Sequence, residues 1–154
     1  KFKKSGRFKL KKKIENKASA KKEWLLVDAE NEVVGASQKV AILLRGKHKT
    51  SFTPHSDSGS NVIIINAAKV RFTGKKTTDK EYIRYTGYPG GQRFATPKIL
   101  LGSKTEEILT HAIHGMLPKN RLGRVQNTNV RIFAGAEHNM EAQKPKKVDL
   151  SKIK

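Results

Sequence analysis

The chain has 154 residues, 36% of them hydrophobic, and a formal net charge of +20, from 33 Lys and Arg against 13 Asp and Glu. It contains no cysteine, which excludes disulfides, a thiolate nucleophile and a cysteine-based zinc site. Its apolar runs fall short of the roughly 18 residues of a transmembrane helix. The length favours one domain with tails.

Such an excess of like charge repels itself in a compact monomer, which indicates a polyanionic partner. Nucleic acid is favoured, because neutralising phosphates and releasing their counterions drives binding of this kind. An anionic membrane surface is the alternative.

Residues 1–22 form a basic segment with ten lysines and Arg7 against the single acid Glu15. This segment therefore carries half of the net charge of the chain. Its apolar residues follow no steady period. We expect a basic N-terminal extension that is disordered alone and orders on RNA, with a solvated tail or targeting remnant as the alternative. The RNA contacts expected here are Lys3, Lys4, Arg7, Lys11, Lys12 and Lys13.

Four short apolar runs predict strands. Trp24–Val27 and Val62–Ile65 are continuously apolar, as strands buried on both faces in the middle of a parallel sheet are. Tyr82–Tyr85 and Val130–Phe133 each include an arginine, which predicts one wet face and a place at the sheet edge.

Two helices are predicted between the strands. Apolar residues at helical spacing indicate a helix over Gly35–Leu44, with Gly46 as its terminating residue. Thr96–Pro97 is typical of a helix start, and Ser103–Glu106 predicts a capping box for the second helix. Its apolar stripe comprises Ile108, Leu109, Ala112, Ile113 and Met116.

Cations without acids characterise the loops. Gly115–Arg124 carries three cations and predicts a loop, because its two glycines permit unusual backbone angles and Pro118 ends the preceding helix. In Thr86–Arg93, Tyr88 and Arg93 offer a stacking ring and a cation. We expect the cationic loops at one end of an α/β sheet to converge on one surface.

Catalytic and metal sites are not indicated. His111 and His114 share a helix face with Glu107, but no third convergent ligand is apparent. His55 and Asp57 are adjacent in a turn-forming stretch, whereas a hydrolase triad converges from separate elements. The chain lacks the glycine motifs of nucleotide-binding loops, so we expect no enzyme, no cofactor and no small-molecule substrate.

Several blocks match a family in order and spacing: KEWLLVDAE (22–30), LLRGKHKTSFTPH (43–55), NVIIINAAKVRFTGKK (61–76), DKEYIRYTGYPGGQR (79–93), HGMLPKNRLGR (114–124) and FAGAEHNMEAQKP (133–145). Through them the chain resembles the bacterial and organellar type of large-subunit ribosomal protein thirteen, from Lys22 to about Pro145. It departs from the pattern at Gly35-Ala36-Ser37, where the family's Arg-Leu pair is missing, and in its long basic N-terminus.

The resemblance implies a three-layer α/β/α fold with a parallel four-stranded sheet in the order 3-2-1-4. It places one RNA-binding domain over 23–145, and a basic C-terminal tail follows over 146–154. It implies a structural, non-catalytic protein that binds large-subunit ribosomal RNA, supports assembly and touches neighbouring ribosomal proteins rather than a membrane. The expected location is a bacterial ribosome, with a mitochondrial or plastid one as the alternative. A regulatory RNA-binding protein acting off the ribosome is the alternative function.

The resemblance and the charge pattern together give the RNA contacts expected within the domain. These are Arg45, Lys47, His48, Lys49, Lys75, Lys76, Tyr88, Gly90, Arg93, Lys119, Arg121 and Arg124.

Overall fold

The computed structural model describes residues 22–150, so the N-terminal extension and its six expected RNA contacts lie outside the described residues, apart from Lys22. In chain order the elements are β1 (Trp24–Asp28), α1 (Ser37–Arg45), β2 (Asn61–Ile65), α2 (Lys76–Asp79), β3 (Tyr82–Tyr85), β4 (Gln92–Ala95), α3 (Pro97–Ser103), α4 (Thr105–Met116), α5 (Arg121–Thr128), β5 (Val130–Ile132) and β6 (Lys146–Lys147). Short 3-10 turns occur at Val34–Ala36, Ala67–Lys69 and Glu141–Gln143.

The main sheet has four parallel strands in the order β5-β2-β1-β6. Counted along the chain within this sheet, that order is 3-2-1-4, as the resemblance implies. The α/β fold with a parallel four-stranded sheet is therefore confirmed. The central position of the first two predicted strands is confirmed, as is the edge position of the strand at Val130.

Both central strands are buried on both faces. Leu25 and Val27 of β1 belong to one core cluster with the buried residues of α1 and α4. Leu26 and Ile63 alternate with that set and point to the opposite face, yet they are only 6% and 0% exposed. Burial of this kind explains why their sequence is continuously apolar instead of alternating.

The prediction that Tyr82–Tyr85 forms a sheet edge is wrong. This strand, β3, pairs antiparallel with β4 in a separate two-stranded hairpin. One wet face is common to an edge strand and to a hairpin strand, so the arginine pattern does not distinguish them.

Two lysines form the other edge of the sheet. Lys146 and Lys147 of β6 pair with Leu25 and Leu26, and the Val148 amide donates to the Leu26 carbonyl at 2.9 Å. Leu150 is 6% exposed within the core. Residues 146–150 of the predicted C-terminal tail therefore belong to the folded body.

Helix α1 ends where the sequence predicts. Gly46 has φ 74°, its amide donates to the Leu43 carbonyl, and the Lys47 amide donates to the Ile42 carbonyl. These two bonds make a Schellman motif, in which glycine is favoured. The predicted first turn is 3-10 over Val34–Ala36, which is where the chain departs from the family pattern.

The start of α4 differs from the prediction. Ser103 lies at the end of α3 and donates its hydroxyl to the Ile99 carbonyl at 3.1 Å, so the predicted capping box is wrong. Lys104 is the N-cap residue and provides no side-chain cap. The apolar stripe is confirmed at Ile108, Leu109 and Ile113, whereas Met116 is 41% exposed.

A buried carboxylate joins the starts of three strands. Asp57 accepts hydrogen bonds at Oδ2 from Lys22 Nζ and from Asn129 Nδ2, the latter at 3.2 Å. Lys22 Nζ also donates to Asn129 Oδ1 at 3.3 Å. Lys22 precedes β1, Asp57 precedes β2 and Asn129 precedes β5, so these three residues, the Asp57 junction, hold the amino ends of three strands together.

The opposite end of the sheet has a smaller counterpart. Asn66, just after β2, donates its side-chain amide to Asp28 Oδ1 at 2.9 Å. This hydrogen bond favours the charged form and holds the pKa of Asp28 below its ordinary value.

Replacing Asp57 by alanine is expected to lower the free energy of unfolding by about 2 kcal/mol, because Lys22 and Asn129 both lose their hydrogen bond to this buried acceptor. The matched control is Glu30→Ala, which removes the acid of the exposed Lys69–Glu30 pair and is expected to change stability by less than about 0.5 kcal/mol. Urea unfolding of both variants measures the difference. Equal losses would contradict a structural role for the junction.

Candidate nucleic-acid interface

The segment Gly115–Arg124 is not a single loop. Gly115 and Met116 complete α4, which ends ahead of Pro118 as predicted. Arg121 begins α5, and the Asn120 side chain caps this helix by accepting a hydrogen bond from the Gly123 amide at 2.7 Å. Arg121 and Arg124 lie one turn apart and are both exposed, so they share one face of the helix.

Close packing, not unusual backbone angles, explains the glycine at 123. Neither Gly115 nor Gly123 has positive φ, so that expectation is wrong. A Cβ atom at Gly123 would overlap the Pro118 carbonyl oxygen, whereas a Cβ at Gly115 would meet nothing within 4 Å. Gly123 thereby permits the tight turn that sets Lys119 and Arg121 at the start of α5.

Helix α1 and the residues just after it line a groove of about 400 Å³. Arg45, Lys47 and His48 contribute to it, together with Met116 from the end of α4. The Lys49 ammonium donates to the Ser58 carbonyl at 2.9 Å, which ties it to the loop before β2. Partial desolvation and the Lys49 charge hold the pKa of His48 below its ordinary value, which favours the neutral ring.

Two of the predicted cation groups meet at one end of the sheet. Helix α1 crosses from the end of β1 to the start of β2, so its carboxyl end lies beside the amino ends of the strands. Helix α5 contacts α1 and leads directly into β5. We call the exposed or half-buried cations gathered here the amino-end cationic surface; they are Arg45, Lys47, Lys119, Arg121 and Arg124.

These five cations are not neutralised by the folded body. The ion pairs formed within residues 22–150 are Lys22–Asp57, Lys69–Glu30, Lys104–Glu107 and Lys146–Glu23. None of them includes a member of the amino-end cationic surface. The positive field of this surface is therefore available to an external anion.

The remaining predicted contacts belong to other elements. Lys75 is the residue before α2 and Lys76 begins it, with the Lys76 ammonium donating to Thr73 Oγ1 at 3.2 Å. Tyr88, 75% exposed, and Gly90, with φ 69°, lie in the turn between β3 and β4, and Arg93 lies on β4. Convergence of these residues with the amino-end cationic surface stays a prediction.

Two residues considered above for a metal site or a catalytic site make other contacts. His111 stacks on Tyr82, with ring centroids 5.5 Å apart, and Asp57 is engaged in its junction. Within residues 22–150, no group of three or more residues of metal-ligating type comes together. In the same part of the chain, no helix has the length and apolarity that a membrane crossing requires.

Sequence reasoning missed the partner of Arg84. Arg84 lies directly opposite Arg93 in the hairpin, and Tyr82 opposite Ala95. The available indication was the glycine-rich turn TGYPGG between YIRY and QRFA, which is typical of a longer hairpin loop.

The fold and the site define a class: a basic α/β protein with exposed cations at the amino ends of a parallel sheet and on an adjoining hairpin. Within that class, the chain belongs to the ribosomal protein L13 family, whose model matches residues 22–139.

Individual relatives are similar in sequence to this chain over most of their length. The large ribosomal subunit protein uL13 of Symbiobacterium thermophilum is 48% identical over 136 residues, which are 88% of this chain and 95% of that protein. The protein of the same name from Caldanaerobacter subterraneus subsp. tengcongensis is 47% identical over 134 residues, 86% and 94% of the two chains. That of Cereibacter sphaeroides (strain ATCC 17025) is 49% identical over 138 residues, 88% and 90%. The resemblance to this family is confirmed.

Two alanine substitutions in one segment test the packing account. Gly123→Ala is expected to lower the free energy of unfolding by about 2–3 kcal/mol, because the added methyl group forces backbone atoms apart. Gly115→Ala, inside α4, is expected to leave stability unchanged or raise it by up to about 1 kcal/mol. Thermal unfolding followed by circular dichroism checks both, and a harmless Gly123→Ala would refute the close approach to Pro118.

Proposed function

We propose that the protein is a structural constituent of the large ribosomal subunit that binds large-subunit ribosomal RNA and supports subunit assembly. The observation that carries the proposal is the amino-end cationic surface, five cations that form no ion pair within residues 22–150. Its relatives are named for the large ribosomal subunit, which supports this partner.

The arrangement suits the backbone of a folded RNA. Arg121 and Arg124 present guanidinium groups one helical turn apart, and such groups bind phosphates in a bidentate manner. Partial desolvation and the Lys49 charge lower the pKa of His48 in the free protein, which favours its neutral ring. Phosphate contacts of this kind fix position and orientation without reading sequence.

A rigid body bound to RNA supports assembly by fixing the RNA segments that it contacts relative to each other. Four of the five cations lie on or next to α1 and α5, which contact each other, so we expect the folded body to present them with little further ordering of the backbone. Low ordering cost favours affinity. The basic residues 1–22, of which the structure describes only Lys22, add further positive charge.

The expected partners are therefore large-subunit ribosomal RNA and neighbouring ribosomal proteins, with no cofactor and no catalytic step. The family is one of structural proteins, which supports a non-enzymatic role. The curated relatives with the highest similarity reported above come from bacteria, which favours a bacterial ribosome over an organellar one.

Neutralising the two α5 arginines tests the proposal. Arg121→Gln with Arg124→Gln is expected to weaken binding to a large-subunit ribosomal RNA transcript about tenfold at physiological salt. The slope of log K against log[salt] is expected to fall by about 1–2, because two phosphate contacts are lost. Filter binding across a salt series measures both quantities.

The matched control is Lys69→Gln with Lys146→Gln, which removes the same charge from two lysines already paired with Glu30 and Glu23. It is expected to leave the salt slope nearly unchanged. If wild-type binding to the transcript shows no salt dependence, the proposed function fails. If both double variants lose affinity equally, net charge and not this surface determines binding.

A further inference from the structure

The β3–β4 hairpin places two arginines face to face. Arg84 lies directly opposite Arg93 in the register of the two strands. Directly opposed like charges destabilise an antiparallel pair. A hairpin of only two strands is also marginally stable by itself, so this arrangement weakens an already weak element.

The hairpin separates charge from apolar surface. Because side chains alternate along a strand, Tyr82, Arg84, Arg93 and Ala95 share one face. The opposite face presents Ile83, Tyr85, Gln92 and Phe94, with no charged group. Both arginines thus lie on the side from which Tyr82 stacks on His111 of α4.

A groove of about 330 Å³ separates the hairpin from α4, and both arginines line it. Its only acid among the described residues is Glu107, which is 3.2 Å from the Lys104 ammonium. Lys80 lies beside the same wall, with its ammonium 5.0 Å from the Tyr82 ring centroid. The cations around the groove therefore outnumber the acid.

We propose that this groove is a phosphate-binding site for an RNA backbone, in which Arg84 and Arg93 together hold one phosphate group. Their guanidinium groups offer several donors in a planar fork that matches phosphate geometry. A bound phosphate converts the repulsion between the arginines into attraction through a shared anion. The inference rests on the proposed function and adds a second contact surface, on α4 and the hairpin.

This assignment predicts opposite effects on the free and the bound protein. In the free protein, Arg84→Gln with Arg93→Gln removes a repulsion, so the thermal midpoint is expected to stay unchanged or to rise by about 1–2 °C. Binding to a large-subunit ribosomal RNA transcript is expected to weaken about tenfold, and the salt slope to fall by about 1–2. A structural role for the two arginines would instead lower the midpoint.

Three further variants refine the test. Arg93→Lys keeps the charge but loses the planar fork, so affinity is expected to fall about threefold with the salt slope unchanged. Lys69→Gln with Lys146→Gln removes equal charge elsewhere and is expected to leave affinity nearly unchanged. Single Arg84→Gln serves in place of the double variant if the latter fails to fold.

The outcomes separate this inference from the proposed function. Wild-type affinity and salt slope in Arg84→Gln/Arg93→Gln would overturn the groove while the wild-type protein still binds RNA. Absence of RNA binding by the wild-type protein would overturn the proposed function itself. Inorganic phosphate added at constant ionic strength is expected not to displace RNA from the wild-type protein. It is also expected not to change the difference in thermal midpoint between the wild type and the double variant. Displacement of RNA would assign the groove to free phosphate.

Discussion

The structure depends on a buried carboxylate, that of Asp57, in a chain of strongly positive charge. Asp57 accepts hydrogen bonds from Lys22 and Asn129, and these contacts join the residues that precede three of the four parallel strands. The carboxylate is only 8% exposed, so removing its hydrogen-bond partners would leave a buried charge without compensation. The contact thus adds a side-chain link between strand ends that the backbone pairing already joins.

The topology of the parallel sheet places the cations on one side of the molecule. In a parallel sheet, each crossing helix returns the chain to the amino edge, so the end of α1 and the start of β5 necessarily lie on the same side. The Schellman motif at Gly46 and the tight turn at Gly123 fix the exits of α1 and the entry to α5. The same charges have opposite effects on binding and on stability, because cations without neighbouring acids favour an RNA partner and destabilise the free protein.

The sequence predicts those features of the fold that depend on residues close together in the chain. Continuous apolar runs identify β1 and β2 as central, and Gly46 identifies the end of α1, because burial and left-handed backbone leave clear residue patterns. The edge strand at Lys146 has no such pattern, since its place depends on hydrogen bonds to Leu25 and Leu26 and not on its side chains. Ser103 satisfies the capping-box pattern but ends α3 instead, because a local motif does not determine which helix it belongs to. Arg84 and Arg93 are opposed only through strand pairing, which single-sequence patterns do not reveal.

The most direct test of the account is ultraviolet crosslinking of intact large ribosomal subunits that contain this chain, with the crosslinked peptides identified by mass spectrometry. The account predicts crosslinks to ribosomal RNA from peptides covering 45–49 and 119–124, and a further set from the hairpin around 84–93. Peptides from the buried strands β1 and β2 serve as the internal reference and are expected to be free of crosslinks. Absence of the chain from purified large subunits, or crosslinks confined to regions away from these three segments, would contradict it.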